Sequence, residues 1–212
     1  MATARTYGEH CAVARALDVV GERWALLVVR ELLLGPKRFT DLRAGLPNAK
    51  PSVLSQRLRE LEAAGVVRRR TLAPPSGARV YELTDDGEDL EPIVIALGHW
   101  GSRLPTRPGA VHGSDSLVLA LKSRFDPDAA RGVDGRFELR LATDRYRIEV
   151  SDGQLSARRG ELEAPDAVIE TDPDTLGAVL IDGRQLDGAL DSGAIALAGD
   201  RKRAERFLAL YR

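Results

Sequence analysis

Cysteine occurs once in this sequence, at position 11. A single thiol excludes an intrachain disulfide framework and points to a reducing, cytoplasmic setting. Long apolar runs are missing too. None approaches the roughly 20 residues a membrane helix needs, and the opening "MATARTYGEHC" has no apolar core for a signal peptide. No membrane partner is expected. The three histidines, His10, His99 and His112, are far apart in the sequence, and with one cysteine they make no zinc cage. There is no phosphate-binding loop, no Gly-rich dinucleotide signature and no Gly-x-Ser-x-Gly elbow. These absences leave no catalytic constellation in view, so the expectation is no enzyme, no cofactor and no metal. Lysine is rare while alanine, arginine, leucine and glycine abound, as in a genome rich in G and C.

What is present is material for two domains: 212 residues, 43% of them hydrophobic. The net charge of −1 is unevenly spread. Residues 1–104 carry 15 Lys/Arg against 13 Asp/Glu, and residues 105–212 carry 16 against 19. Within the first half, positions 37–79 hold ten basic and three acidic residues, a local balance of +7, and positions 82–91 hold six acidic residues and no basic one. Such segregation fits either a basic face directed at a polyanion or a solvated arginine-rich surface.

The first half reads as helices followed by a hairpin. Residues 10–20 show helical apolar spacing, and 22–34, "ERWALLVVRELLL", are apolar nearly all round. Gly35 and Pro36 end that helix. Thr40 can cap a short third helix, "DLRAGL", and Pro51 at a first helical position opens a fourth, closed by Gly65. "VVRRRTL" and "ARVYELT" are strand-like and joined by the turn "APPSG". Thr84 or Asp85 then caps a long helix to about Leu104, on which Leu90, Ile93, Leu97, Trp100 and Leu104 recur every three or four residues. That apolar stripe is a candidate two-fold dimer interface.

Residues 105–115 are rich in Pro, Gly and Ser and read as a linker. Beyond it, "FELRLAT", "YRIEVSD", "GQLSARRG", "DAVIET" and "GAIALAG" carry strand signals, and Asp172 and Asp200 are placed to cap two helices. The whole is therefore α+β: residues 1–104 as one domain, 105–115 as the linker, and 116–212 as a second domain of three or more antiparallel strands covered by helices.

The fourth helix answers where the basic charge belongs. At about 100° per residue, Leu54, Leu58 and Leu61 share one face, and Ser52, Gln56, Arg59 and Ala63 lie opposite. Gln matches adenine and Arg matches guanine in a major groove, and Ser donates or accepts. Lys50 and Arg57 extend this candidate DNA-binding set on the helix. Arg68, Arg69, Arg70 and Arg79 on the hairpin extend it toward the phosphates. A reading helix with a basic hairpin beside it is a winged helix-turn-helix.

"CAVARALDVVGERWALLVVRELLLGPKRFTDLRAGLP", "VLSQRLRELEAAGVV" and "YELTDDGEDL" together resemble the HxlR family of bacterial winged-helix regulators over roughly residues 9–104. The pattern departs from the family at Lys50-Pro51, where a serine or threonine cap is commoner. The resemblance implies a homodimer bound to a pseudo-palindromic operator in double-stranded DNA. "DAVIETDPDTLGAVLIDG" and "GALDSGAIALAGDRKRAERFLAL" resemble the sterol carrier protein type 2-like fold over about 116–212. This likeness implies an apolar tunnel for a lipid-like effector, with Phe137, Leu139, Leu176 and Val179 as candidate wall residues, although the same elements can equally fill their own core. Cys11 has two readings. The HxlR resemblance implies a thiol that senses oxidants or electrophiles, and the alternative is a small apolar residue in a helix interface. The leading functional expectation is a DNA-binding regulator that responds to an apolar small molecule. The alternative is a small-molecule carrier whose first domain mainly dimerises.

Overall fold

The computed structural model describes residues 6–105 and 113–211. Apolar spacing produces four opening helices: α1 (Ala12–Val20), α2 (Ala25–Leu32), α3 (Phe39–Gly45) and α4 (Pro51–Ala63). The second is shorter than its apolar run, because Trp24 sits in the left-handed region at φ 79° and interrupts the helix before Ala25. Its apolar residues Ala25, Val28, Val29 and Leu32, with Leu33 and Leu34 beyond it, are buried as expected. The third helix begins earlier than Thr40 would set. Arg38 is the N-cap, and the Asp41 carboxylate accepts the Arg38 backbone N–H at 3.1 Å from inside the first turn.

Leu54, Leu58 and Leu61 of α4 are at most 1% exposed, each stabilising the unit by about 1.5–3 kcal/mol. Gly65, at φ +77°, lets the chain leave the helix. It runs into the hairpin β1 (Val67–Thr71) and β2 (Arg79–Leu83), paired antiparallel with Arg69 opposite Tyr81. Lys37 forms an isolated antiparallel bridge to β2. Its N–H donates to the Tyr81 carbonyl at 2.9 Å, and the Tyr81 N–H donates back at 2.8 Å. The Lys37 ammonium is buried against the Glu31 carboxylate, which also takes Arg30 at 2.7 Å. This buried pairing ties α2 to the strand edge of the hairpin.

The long helix expected to run from Thr84 to Leu104 is broken. Thr84 caps α5 (Asp85–Glu88), its hydroxyl accepting from the Gly87 N–H at 3.1 Å, and α6 (Glu91–Gly101) then starts separately. Pro92 accounts for the break, since it has no N–H to donate to the carbonyl four residues back.

The chain divides into two compact units, the first ending at Val94 and the second beginning at Ile95. Residues 106–112 of the expected linker lie outside the described residues, and helix α7 (Ser114–Arg124) begins inside its expected end. The second unit carries β3 (Gly135–Leu141), β4 (Asp144–Ser151), β5 (Gln154–Arg159), β6 (Ala167–Thr171), α8 (Pro173–Leu180), α9 (Leu186–Asp191), β7 (Ala196–Gly199) and α10 (Arg201–Ala209). The strands form one sheet in the order β5-β4-β3-β6-β7. The pairing differs from an all-antiparallel sheet at one seam, because β3 and β6 run parallel. Asp172 and Asp200 cap α8 and α10 as their positions predict, accepting from the backbone N–H groups of Thr175 at 2.8 Å and Arg203 at 3.1 Å.

Helices cover one face of this sheet. Phe137 of β3 stacks on Phe207 of α10 with centroids 4.7 Å apart. On the same face, Tyr146 of β4 donates to Asp115 of α7 at 2.6 Å. Burial foremost, and then the Asp115 charge, raise the Tyr146 phenol well above its ordinary range. Arg159 completes this anchor by pairing with both Asp115 and Asp144. The other face is polar, with Arg136 opposite Glu149 and Glu138 opposite Arg147.

Candidate nucleic-acid interface

The buried leucines fix which way α4 points. With them inward, Lys50, Ser52, Gln56, Arg59 and Ala63 are all exposed along the opposite side. From Ser52 to Arg59 the stripe covers about 10 Å of helix axis, the height of about three base pairs. Lys50 is the N-cap residue, without a side-chain capping bond, and Pro51 occupies the first helical position. Lys50, Arg59 and Arg79 form no ion pair with any described residue, so their charges face solvent.

Arg57 does not belong to this stripe. It is buried, with its guanidinium paired to Glu60 and 3.8 Å from Glu22. One position separates it from Gln56, and 100° of helical rotation carries it to the flank of the leucine face. The expectation that it contacts DNA directly is therefore corrected.

On the hairpin the three arginines alternate as strand residues must. Arg68 and Arg70 share a face and grip the two oxygens of the buried Glu82 carboxylate at 2.8 and 2.7 Å. Arg69 lies on the other face. It covers the Tyr81 ring at 5.4 Å and pairs with Glu62 of α4 at 3.0 Å. Each guanidinium is about half exposed and keeps unused N–H donors. Arg38, which the sequence reading left out of the site, is exposed, and its guanidinium is 3.5 Å from Ser76 at the hairpin tip. Its place in the basic run 37–79 was the available signal.

Cys11 is exposed at the N-cap of α1, so the reading as a buried packing residue does not hold within this chain. Backbone N–H groups of Ala14 and Val13 lower its pKa below the ordinary thiol value.

The apolar stripe leading to and along α6 faces outward: Ile93, Leu97, Trp100 and Leu104 are each about half exposed, and Leu90 is partly buried. In the second unit, by contrast, the expected pocket walls are packed. Phe137, Leu139 and Leu176 are 0–1% exposed and Val179 is 9% exposed. At 0–1% exposure, Phe137, Leu139 and Leu176 have no room beside them for a lipid-like molecule. These four residues are core, and Phe207 stacks on Phe137 among them, so they are not the walls of a tunnel. A cleft of about 380 Å³ does open elsewhere on this unit, but it is polar, with Asp128, Arg131, Asp134 and Asp152 in its lining. Among the described residues no group of three or more His, Cys, Asp or Glu side chains is arranged to hold a metal, and no helix is long and apolar enough to cross a membrane.

Comparison with known proteins matches two stretches of the chain to different families, the first running past Val94 into the second unit. Residues 19–107 match the family described as HxlR-like helix-turn-helix, and residues 115–211 match the description alkyl sulfatase C-terminal. The HTH-type transcriptional regulator YvaP of Bacillus subtilis (strain 168) is 43% identical over 89 residues, covering 42% of this chain and 82% of YvaP. The HTH-type transcriptional regulator Rv3095 of Mycobacterium tuberculosis is 39% identical over 97 residues, covering 46% of this chain and 61% of Rv3095. Among solved structures, the sec-alkyl sulfatase PisA1 is 24% identical, with a TM-score of 0.42, over 52% of this chain and 17% of that one. The exposed stripe of α4, the basic hairpin and the extent of the match to YvaP lead to one assignment: this chain belongs to the HxlR-like helix-turn-helix family of DNA-binding transcriptional regulators.

Proposed function

We propose that the chain is a homodimeric transcriptional regulator, and not an enzyme, that reads a pseudo-palindromic operator with Ser52, Gln56 and Arg59 of α4. Lys50, Arg68, Arg69, Arg70 and Arg79 supply sequence-independent attraction to the phosphates. The observation that carries this reading is the exposed Ser–Gln–Arg stripe lying opposite three leucines that are at most 1% exposed. Dimerisation rests on the half-exposed Ile93, Leu97, Trp100 and Leu104, since a contiguous apolar stripe of this size marks a protein contact. A regulator of this kind works in the cytoplasm, where its DNA is. The carrier alternative loses its support with the filled core of the second unit. The test is a genomic footprint of the bound protein, followed by titration of the recovered site against a scrambled duplex at several salt concentrations. A preference for the recovered site, with affinity for both duplexes falling as salt rises, is expected. Equal, salt-insensitive binding would refute the reading.

A further inference from the structure

We infer that Glu60 orients Gln56 for reading adenine, and that the buried Arg57 holds Glu60 in place to do so. The inference rests on the base-reading role proposed for α4. Gln56 and Glu60 lie one helical turn apart, and the Gln56 Nε2 donates to Glu60 Oε1 at 2.9 Å. An ionised carboxylate only accepts hydrogen bonds. The amide must therefore turn its NH₂ toward Glu60 and its carbonyl oxygen away.

That polarity matters for recognition. An unrestrained glutamine amide rotates broadly about its last torsion and offers either edge. Bidentate recognition of adenine needs one N–H directed at N7 and one carbonyl oxygen accepting from the N6 amine. With one amide hydrogen committed to Glu60, the other hydrogen and Oε1 form the edge that matches adenine. The reversed edge, which would suit the wrong base, is excluded before DNA arrives, and less side-chain freedom is lost on binding.

An acidic residue on a DNA-facing helix repels phosphate unless its charge is compensated. Arg57 provides that compensation, its guanidinium pairing with Glu60 Oε2 from a buried position. Glu22, between α1 and α2, lies 3.8 Å from the same guanidinium and braces it from behind. The order is thus a fixed arginine, a carboxylate it holds, and an amide the carboxylate turns. Arg57 and Glu60 are positioning residues that act through Gln56.

The experiment uses the full-length protein and a panel of duplexes in which each base pair of the footprinted site is substituted in turn. Gln56→Ala and Glu60→Ala should flatten the preference at the same base pair, one carrying adenine, where the wild type discriminates about five- to 100-fold. Combining the two substitutions should lose no more discrimination there than Gln56→Ala alone. Glu60→Ala should also tighten binding to scrambled DNA, because a negative charge has gone. A general loss of fold would weaken every duplex instead. Among the described residues, Glu60→Ala leaves the buried Arg57 with Glu22 alone. Glu60→Gln, which keeps the size of the side chain but no longer fixes which way the Gln56 amide turns, is therefore measured beside it. It should flatten the same preference, with circular dichroism matching the wild type. If Gln56→Ala flattened one base pair and Glu60→Ala left that preference intact, the positioning inference alone would be overturned. If neither Gln56→Ala nor Arg59→Ala changed any base preference, the base-reading role of α4 would fall with it.

Discussion

Arg59 and Arg57 show how much two positions on one helix change a side chain's task. Arg59 has no described ion-pair partner and projects from the exposed stripe, whereas Arg57 is buried and committed to Glu60. Replacing Arg59 by alanine should cost about 1–3 kcal/mol on the specific site and relax one base position. Competition between specific and scrambled duplexes checks this. An equal loss on both would make Arg59 a phosphate contact. Cys11 makes a second residue-scale case. Its thiol is exposed, and backbone N–H groups at the start of α1 stabilise the thiolate. At neutral pH a larger fraction is therefore ionised than for an ordinary thiol. Alkylation by iodoacetamide should accelerate with pH along a curve centred below that of a free cysteine peptide in the same buffer. A coincident or higher midpoint would mean that the amides do not act on the sulfur.

Among the elements, the proposed function assigns attraction to the hairpin and reading to α4. Arg79 is exposed next to the hairpin turn and bears no described counter-charge. Arg79→Ala should lower the slope of log K against log salt by about 0.9, with a similar shift on specific and non-specific DNA. An unchanged slope would take Arg79 out of the interface. Much of this element structure was legible in the sequence, because α4 is amphipathic, the two strands are rich in β-branched and aromatic residues, and Pro51, Gly65 and the "APPSG" turn bound them. Helix α7 was not legible. Its buried Leu117, Val118, Leu119 and Leu121 are nearly consecutive, so no single stripe repeats with helical period. The fate of Arg57 was hidden for a different reason. A helical wheel places it on a flank, and only the positions of Glu22 and Glu60 decide whether a flank is wet or buried. The pocket expected in the second unit failed on the same ground: strand and helix periodicity shows which side chains point inward, but not whether they meet there, as Phe137 and Phe207 do.

At the scale of the whole molecule, the proposed reading of a palindromic operator requires two copies of the chain. Two-fold symmetry presents one patch to itself, and a palindromic site requires two reading helices one helical turn of DNA apart, about 34–36 Å. The candidate patch is the run of half-exposed Ile93, Leu97, Trp100 and Leu104. Full burial of a large apolar side chain contributes about 1.5–3 kcal/mol, and since these are already half covered, each adds about half of that on pairing, in both copies, against the entropy lost on association. Because Leu97 is about half exposed in the single chain, Leu97→Glu should leave the fold of each copy intact. In the proposed dimer the same change puts a carboxylate from each copy into an apolar contact, where desolvation penalises its charge. Sedimentation should then report monomers, and the affinity for a full palindrome should drop to that for a half-site. The two effects must appear together, since one surface produces both. A Leu97→Glu protein that sedimented as a dimer and still bound the full operator would place the interface elsewhere on the molecule.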